Sequence, residues 1–80
     1  MPRRRTAGQL QFDYTELKKK IKKKYGRTKD LARELGISSV SLSKKLNNHC
    51  EFTQSEIMLS AIVLDLSLGD MEACFFTARS

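Results

Sequence analysis

Helix-start signals recur five times between residues 13 and 67, which leaves room for little besides a compact helical bundle. Thr53-Gln54-Ser55-Glu56 is a full capping box, in which each end of the tetrad accepts a hydrogen bond from the other's backbone amide. Phe52 before it and Ile57 after it form a hydrophobic staple. Ser67 repeats the arrangement, with Asp70 at the third helical position and Leu66 and Met71 as the staple. Ser38 caps a helix stapled by Ile37 and Leu42. Asp13 with Glu16, flanked by Phe12 and Leu17, marks another start, and Thr28 marks the fifth. The predicted helices run from the Asp13 cap through Tyr25, from Lys29 to Leu35, from Ser39 to about Asn47, from the Thr53 cap to about Asp65, and from the Ser67 cap to about Phe76. Gly26 and Gly36 stand where helix ends need a left-handed residue. The single proline is at position 2, and no strand-like alternation is sustained. The expected fold is therefore all-α, with five helices joined by short connections.

The inward stripe of the first helix is Tyr14, Leu17, Ile21 and Tyr25, at spacings of three and four. Leu31, Ala32 and Leu35 face inward from the second. Apolar residues surround the fourth helix more broadly than one stripe, as in a helix buried on more than one side. A chain of 80 residues can bury only part of the apolar set of helices 4 and 5. Leu68, Met71, Phe75 and Phe76 are therefore the expected seam of a homodimer, with at least one of the two phenylalanines closing the core. Residues 1–11 have neither cap nor stripe and read as a flexible basic arm, residues 12–77 as the folded domain, and 78–80 as a tail.

Charge is concentrated at one end. Residues 1–27 hold ten Lys and Arg against two acids, a net +8, while residues 28–80 hold five bases and seven acids, a net −2. Such a field attracts polyanions, nucleic acid first and an anionic membrane second. No apolar run is longer than that from Ala61 to Leu64, which is far too short to span a bilayer.

The segment from Thr28 to Asn47 carries the functional signal. Two short helices meet at Leu35-Gly36-Ile37-Ser38. Ala32 is small enough to let the second helix approach the first, Gly36 relaxes the turn, and Ile37, Leu42 and Leu46 pin the second helix to the core. An ordinary helical hairpin could use the same residues, but this spacing beside a basic helix favours a DNA-binding helix-turn-helix. With Leu42 set at zero and about 100° per residue, the core lies near 20°, and Val40, Lys44 and Asn47 point away from it. Ser43 lies at the flank and Ser39 at the helix start. Ser39, Val40, Ser43 and Lys44 are therefore the candidates for base contacts: Val40 to a thymine methyl, Lys44 to guanine O6/N7, the serines to either kind of edge. Thr28 and Lys29, at the start of helix 2, are candidates for phosphate contact, with Lys45 as a further one.

The stretch LARELGISSVSLSKKLNN, with its flanks FDYTELKKKIKKKYG and FTQSEI…LDLSLGDMEACFF, resembles the lambda-repressor/Cro-like helix-turn-helix domains of the xenobiotic-response-element family. The likeness runs from about Asp13 to Phe76. It implies a five-helix fold, sequence-specific operator binding and transcription control, usually as a dimer, in the cytoplasm of a bacterial host. It also implies phosphate contacts from Asn47 and Asn48, where the family places a small polar residue. Some relatives carry a basic arm, a role that Arg3, Arg4 and Arg5 would take in a narrow minor groove. No segment here corresponds to the added domains of full-length repressors, so the expectation is a Cro-type or accessory phage regulator. The alternative is an antirepressor that uses the same fold to bind another regulator.

Other classes find no support in the sequence. His49 adjoins no carboxylate and is expected in a loop. Cys50 and Cys74 are expected as small buried or half-buried apolar groups. No paired carboxylates, phosphate-cradling glycine loop, metal-ligand spacing or nucleophile–base set is present, so neither enzyme activity, a cofactor nor a small-molecule substrate is expected.

Overall fold

The computed structural model describes residues 11–78. Five helices follow in order: α1 Thr15–Lys24, α2 Thr28–Leu35, α3 Ser39–Leu46, α4 Gln54–Val63 and α5 Leu68–Phe75. Among the described residues the only extended pairing is an isolated antiparallel bridge between Phe12 and Ala78. The fold is all-α, and no described helix is long and apolar enough to cross a membrane.

One core holds the five helices. Leu17 and Ile21 of α1, Leu31, Ala32 and Leu35 of α2, Leu42 and Leu46 of α3, and Cys74 and Phe75 of α5 are buried together with Tyr14 and Leu64. Helix α2 is central, packing on α1, α3 and α4, while α5 closes over α1. A chain of rings bridges the ends: Tyr14 meets Phe52 edge-on at 5.3 Å, and Phe52 meets Phe75 at 5.2 Å. Phe75, 3% exposed, is thus the one of the two phenylalanines that closes the core and takes no part in an outward seam. Of the other residues expected there, Leu68 and Phe76 are exposed and Met71 is half-buried. Burial pushes the Cys74 thiol above its ordinary value, which makes it a poor nucleophile. Cys50, expected to be at least half-buried, is exposed.

Three helix starts match their local chemistry. Ser38 accepts from the Ser41 amide, and the Thr53–Glu56 and Ser67–Asp70 capping boxes are both complete. The other two lie one residue from the expected place. Asp13 does not cap α1; its Oδ1 accepts from the amide and hydroxyl of Thr15, an Asx-type turn, and buried Tyr14 takes the cap position. Gly26, at φ +84, and extended Arg27 complete the turn after α1, so Thr28 is the first residue of α2 instead of its cap. Helix α4 ends at Val63, short of Asp65, which adopts φ +54 while the Leu66 amide donates back to the Ala61 carbonyl.

Asn48 ties the loop after α3 to the segment before α1. Its Oδ1 accepts from the Phe12 amide at 2.8 Å and its Nδ2 donates to the Phe12 carbonyl at 3.0 Å. The Asp13 amide in turn donates to the Thr77 carbonyl. Oδ1 and Nδ2 of Asn48 are thus both engaged within the fold, at a position where the family likeness implies a phosphate contact. Asn48 also adopts φ +64. Glycine there keeps the backbone and deletes the amide, so Asn48→Gly should cost about 1–2 kcal/mol in urea unfolding, the value of two hydrogen bonds. A change below about 0.3 kcal/mol would mean that the clamp contributes nothing net.

Helix α4 departs furthest from expectation. Its one fully buried residue is Ser60, whose hydroxyl donates to the Glu56 carbonyl one turn back at 2.7 Å. A small residue at this position lets α4 approach α2 closely. The rest of the apolar set is not enclosed on several sides: Met58, Leu59 and Ile62 are 52%, 40% and 67% exposed.

Candidate nucleic-acid interface

The candidate site is built on α3 and the start of α2. Gly36 closes α2 at φ +72, with its amide and that of Ile37 donating to carbonyls of the last turn. With Ile37 and Ser38 it makes a three-residue turn into α3. A side chain at Gly36 would meet open space but would strain the left-handed backbone. Leu42 and Leu46 then seat α3 on the core, at 0% and 7% exposure.

This seating leaves one face of α3 in solvent. Ser39, Val40, Ser43 and Lys44 are all exposed, and Val40 is 63% exposed, high for an aliphatic side chain. Asn47 sits on the same side, its Nδ2 donating to the Ser43 carbonyl at 2.9 Å. Beyond it Ser43, Lys44, Asn47, His49 and Cys50 line a shallow open hollow. Thr28 and Lys29 are exposed at the first turn of α2, where backbone amides lack a side-chain acceptor.

Lys45 lies elsewhere. At about 300° on the same wheel it falls on the flank of α3, and it turns toward α4. Its Nζ lies 3.1 Å from Glu56 Oε1 and donates to the Glu51 carbonyl at 3.0 Å. Both side chains of the pair are only 12% exposed. Lys45 is therefore a strut between α3 and α4, not a free cation for phosphate as the sequence suggested. The strut was missed because Glu56 reads in sequence only as a capping residue. The available hint was the flank position of Lys45, between the buried and exposed faces.

Burial pushes the Glu56 carboxyl up, but hydrogen bonds from the Thr53 amide and from Lys45, with the Lys45 charge, hold it below its ordinary value. A lowered carboxyl contributes stability that is complete above its ordinary value of 4.5 and disappears as pH falls through the folded-state value. Glu56→Gln should therefore cost about 1–2 kcal/mol near pH 7 and flatten the acid limb of a melting-temperature profile. An acid limb as steep as in the unmodified chain would remove Glu56 as a source of the pH dependence. Asp70 is lowered too, chiefly by the Ser67 amide, so part of the limb should survive.

The lysines of α1 divide by position. Lys19 pairs with Glu16 and Lys20 with Asp70, and Lys24 donates to the Val63 carbonyl. Lys18, Lys22 and Lys23 are exposed, with no ion pair among the described residues. Arg3, Arg4 and Arg5 lie outside the described residues.

No curated protein matches the chain. Residues 10–78, nearly its whole length, match the model of a family described as proteins of unknown function (DUF739), and the chain belongs to that family.

Proposed function

We propose that this protein binds double-stranded DNA with sequence preference and regulates transcription, in the manner of small phage and prophage regulators. In this reading α2 and α3 act as a helix-turn-helix. Helix α3 enters the major groove, where Ser39, Val40, Ser43 and Lys44 meet base edges. Thr28 and Lys29 meet phosphate at the free amides of α2, and Asn47 serves at the far end of α3. Lys18, Lys22 and Lys23 add salt-sensitive, sequence-independent attraction. The observation that carries the reading is the division of α3: Leu42 and Leu46 are buried while Val40 is 63% exposed beside a free lysine. An exposed valine on a polar helix costs solubility and has a use against a thymine methyl.

Gel-shift titration against salt tests the reading. Sequence-blind attraction weakens steeply as salt rises, whereas preference for one site persists once phosphate contacts are screened. The expected result is a retained preference of at least tenfold at about 0.15 M salt. Binding that is equal on all duplexes and vanishes with salt would favour an accessory protein that binds another regulator. The exposed apolar side chains of α4 supply the observation behind that second reading.

A further inference from the structure

Between the segment before α1, the loop before α4 and the end of α5 lies a small ring-lined cavity. Phe12, Tyr14, Phe52, Phe75 and Phe76 supply the rings and Glu51 the one charge on its wall, around a volume of about 120 Å³. That is a little less than the roughly 150 Å³ that accepts a benzene ring, and enough for a planar guanidinium group. Tyr14 and Phe75 are buried, Phe12 and Phe52 half-buried, and Glu51 and Phe76 are exposed at the rim. The carboxylate of Glu51 has no use in the fold. Its backbone carbonyl accepts from Lys45, but the carboxylate joins no ion pair among the described residues, and Lys45 gives its charge to Glu56 instead. It nevertheless acts on the cavity: burial, and then the charge of Glu51, push the Tyr14 phenol above its ordinary value.

We propose that this cavity holds a guanidinium group, supplied by Arg3, Arg4 or Arg5 of the same chain. Aromatic faces carry negative charge, and with a carboxylate beside them they select a cation over an anion or a neutral group. Guanidinium suits the site better than ammonium. It is flat and stacks on rings, its fork gives a carboxylate two parallel N–H bonds, and it is more weakly hydrated. The chain's own geometry selects the source. The description of the chain begins at Gln11, one residue before Phe12 on the cavity wall. Arg5 precedes Phe12 by seven positions, a reach of up to about 23 Å. So short a tether holds its groups at millimolar effective concentration, which a free arginine or another protein matches only with contacts of its own. A guanidinium held here is withheld from other anions, so Glu51 competes with DNA phosphate for the basic segment. Only this consequence rests on the reading above; docking itself is measured without DNA.

NMR titration of the full chain with methylguanidinium chloride, at constant ionic strength, tests the proposal through the ring resonances of Phe12, Phe52 and Phe76. Changing Arg3→Lys, Arg4→Lys and Arg5→Lys together keeps the charge and removes the guanidinium groups. In this variant the ring resonances should shift before any probe is added. The probe should then bind at least about twofold more tightly than to the unmodified chain, because its tethered competitor is gone. Adding Glu51→Gln to the triple-lysine chain should weaken the probe by about threefold or more. Should that change disturb the neighbouring Lys45 strut, Phe76→Ala, at an exposed ring, must weaken the probe likewise. Arg79→Lys is the control, since Thr77 lines a different hollow with Asp13, on the other face of the Phe12–Ala78 pairing. It should alter neither the resonances nor the affinity. Equal probe affinity in the unmodified and triple-lysine chains would overturn the proposal and point to an arginine of another molecule. Ring resonances that ignore the probe up to about 50 mM, well above the effective concentration of the tether, would overturn the cavity as a cation site. Neither result bears on whether α3 prefers a DNA sequence.

Discussion

Truncating Leu42 to alanine should destabilise the domain by about 3 kcal/mol, the middle of the range for a fully buried leucine. Leu42 is 0% exposed, and with Leu46 it is what seats α3 on the core. A domain of this length has on the order of 4–12 kcal/mol of stability in total, so the loss is a large fraction of it. The melting temperature should fall by roughly 15 °C, since each kcal/mol shifts a domain this small by about 4–8 °C. Val40→Ala, two residues away on the exposed face, should change stability by less than about 0.5 kcal/mol. Urea unfolding followed by circular dichroism measures both. If the two substitutions cost the same, α3 is not divided into a seated and a free face, and its candidate role loses its basis.

The second large effect is on DNA. Val40→Asp combined with Lys44→Ala should abolish sequence preference, lowering affinity for a preferred site by roughly 100-fold or more, because each base contact of this kind is worth about 1–3 kcal/mol. The aspartate replaces a methyl surface with a charge facing phosphates, and the alanine removes a cation. Both residues are exposed and take part in no hydrogen bond or ion pair with another described side chain, so the fold should be retained. Lys45→Met gives the contrast. It breaks the strut to Glu56 and Glu51, so its first effect should be on stability, with DNA affinity following only through the placement of α3. A double variant that keeps its preference would remove Val40 and Lys44 from the reading surface. A Lys45→Met variant that loses affinity at unchanged stability would restore Lys45 as a direct contact.

The parts of this architecture legible in sequence are those whose physics is local. Ser38, Thr53 and Ser67 cap helices through atoms three residues away, so reading the tetrads is enough. Gly36 announces its left-handed turn by being glycine between Leu35 and Ile37, where one helix ends and the next is stapled. The start of α1 shifts by one residue because the Asp13 carboxylate turns onto Thr15, and that of α2 because extended Arg27, following Gly26, takes the cap position. What sequence conceals is set at a distance. Asn48 reaches across 36 positions to Phe12, and nothing in its neighbours distinguishes a clamp from a surface amide. Lys45 looks like one more exposed base until α4 brings Glu56 against it. Apolar residues all around α4 suggested burial on several sides, yet the bundle supplies neighbours on one side only, and Ser60 is the residue that fits closest. For the candidate surface, helix geometry places Ser39, Val40, Ser43 and Lys44 in solvent as expected, while Lys45 and Asn48 are engaged within the fold.

The most direct measurement is selection of bound fragments from a pool of random duplexes, at salt of about 0.15 M, where exposed charges more than about 8 Å apart are largely screened. The account expects successive rounds to converge on one short sequence, with convergence lost in the Val40→Asp, Lys44→Ala chain. A pool that stays random while the protein remains folded would contradict it.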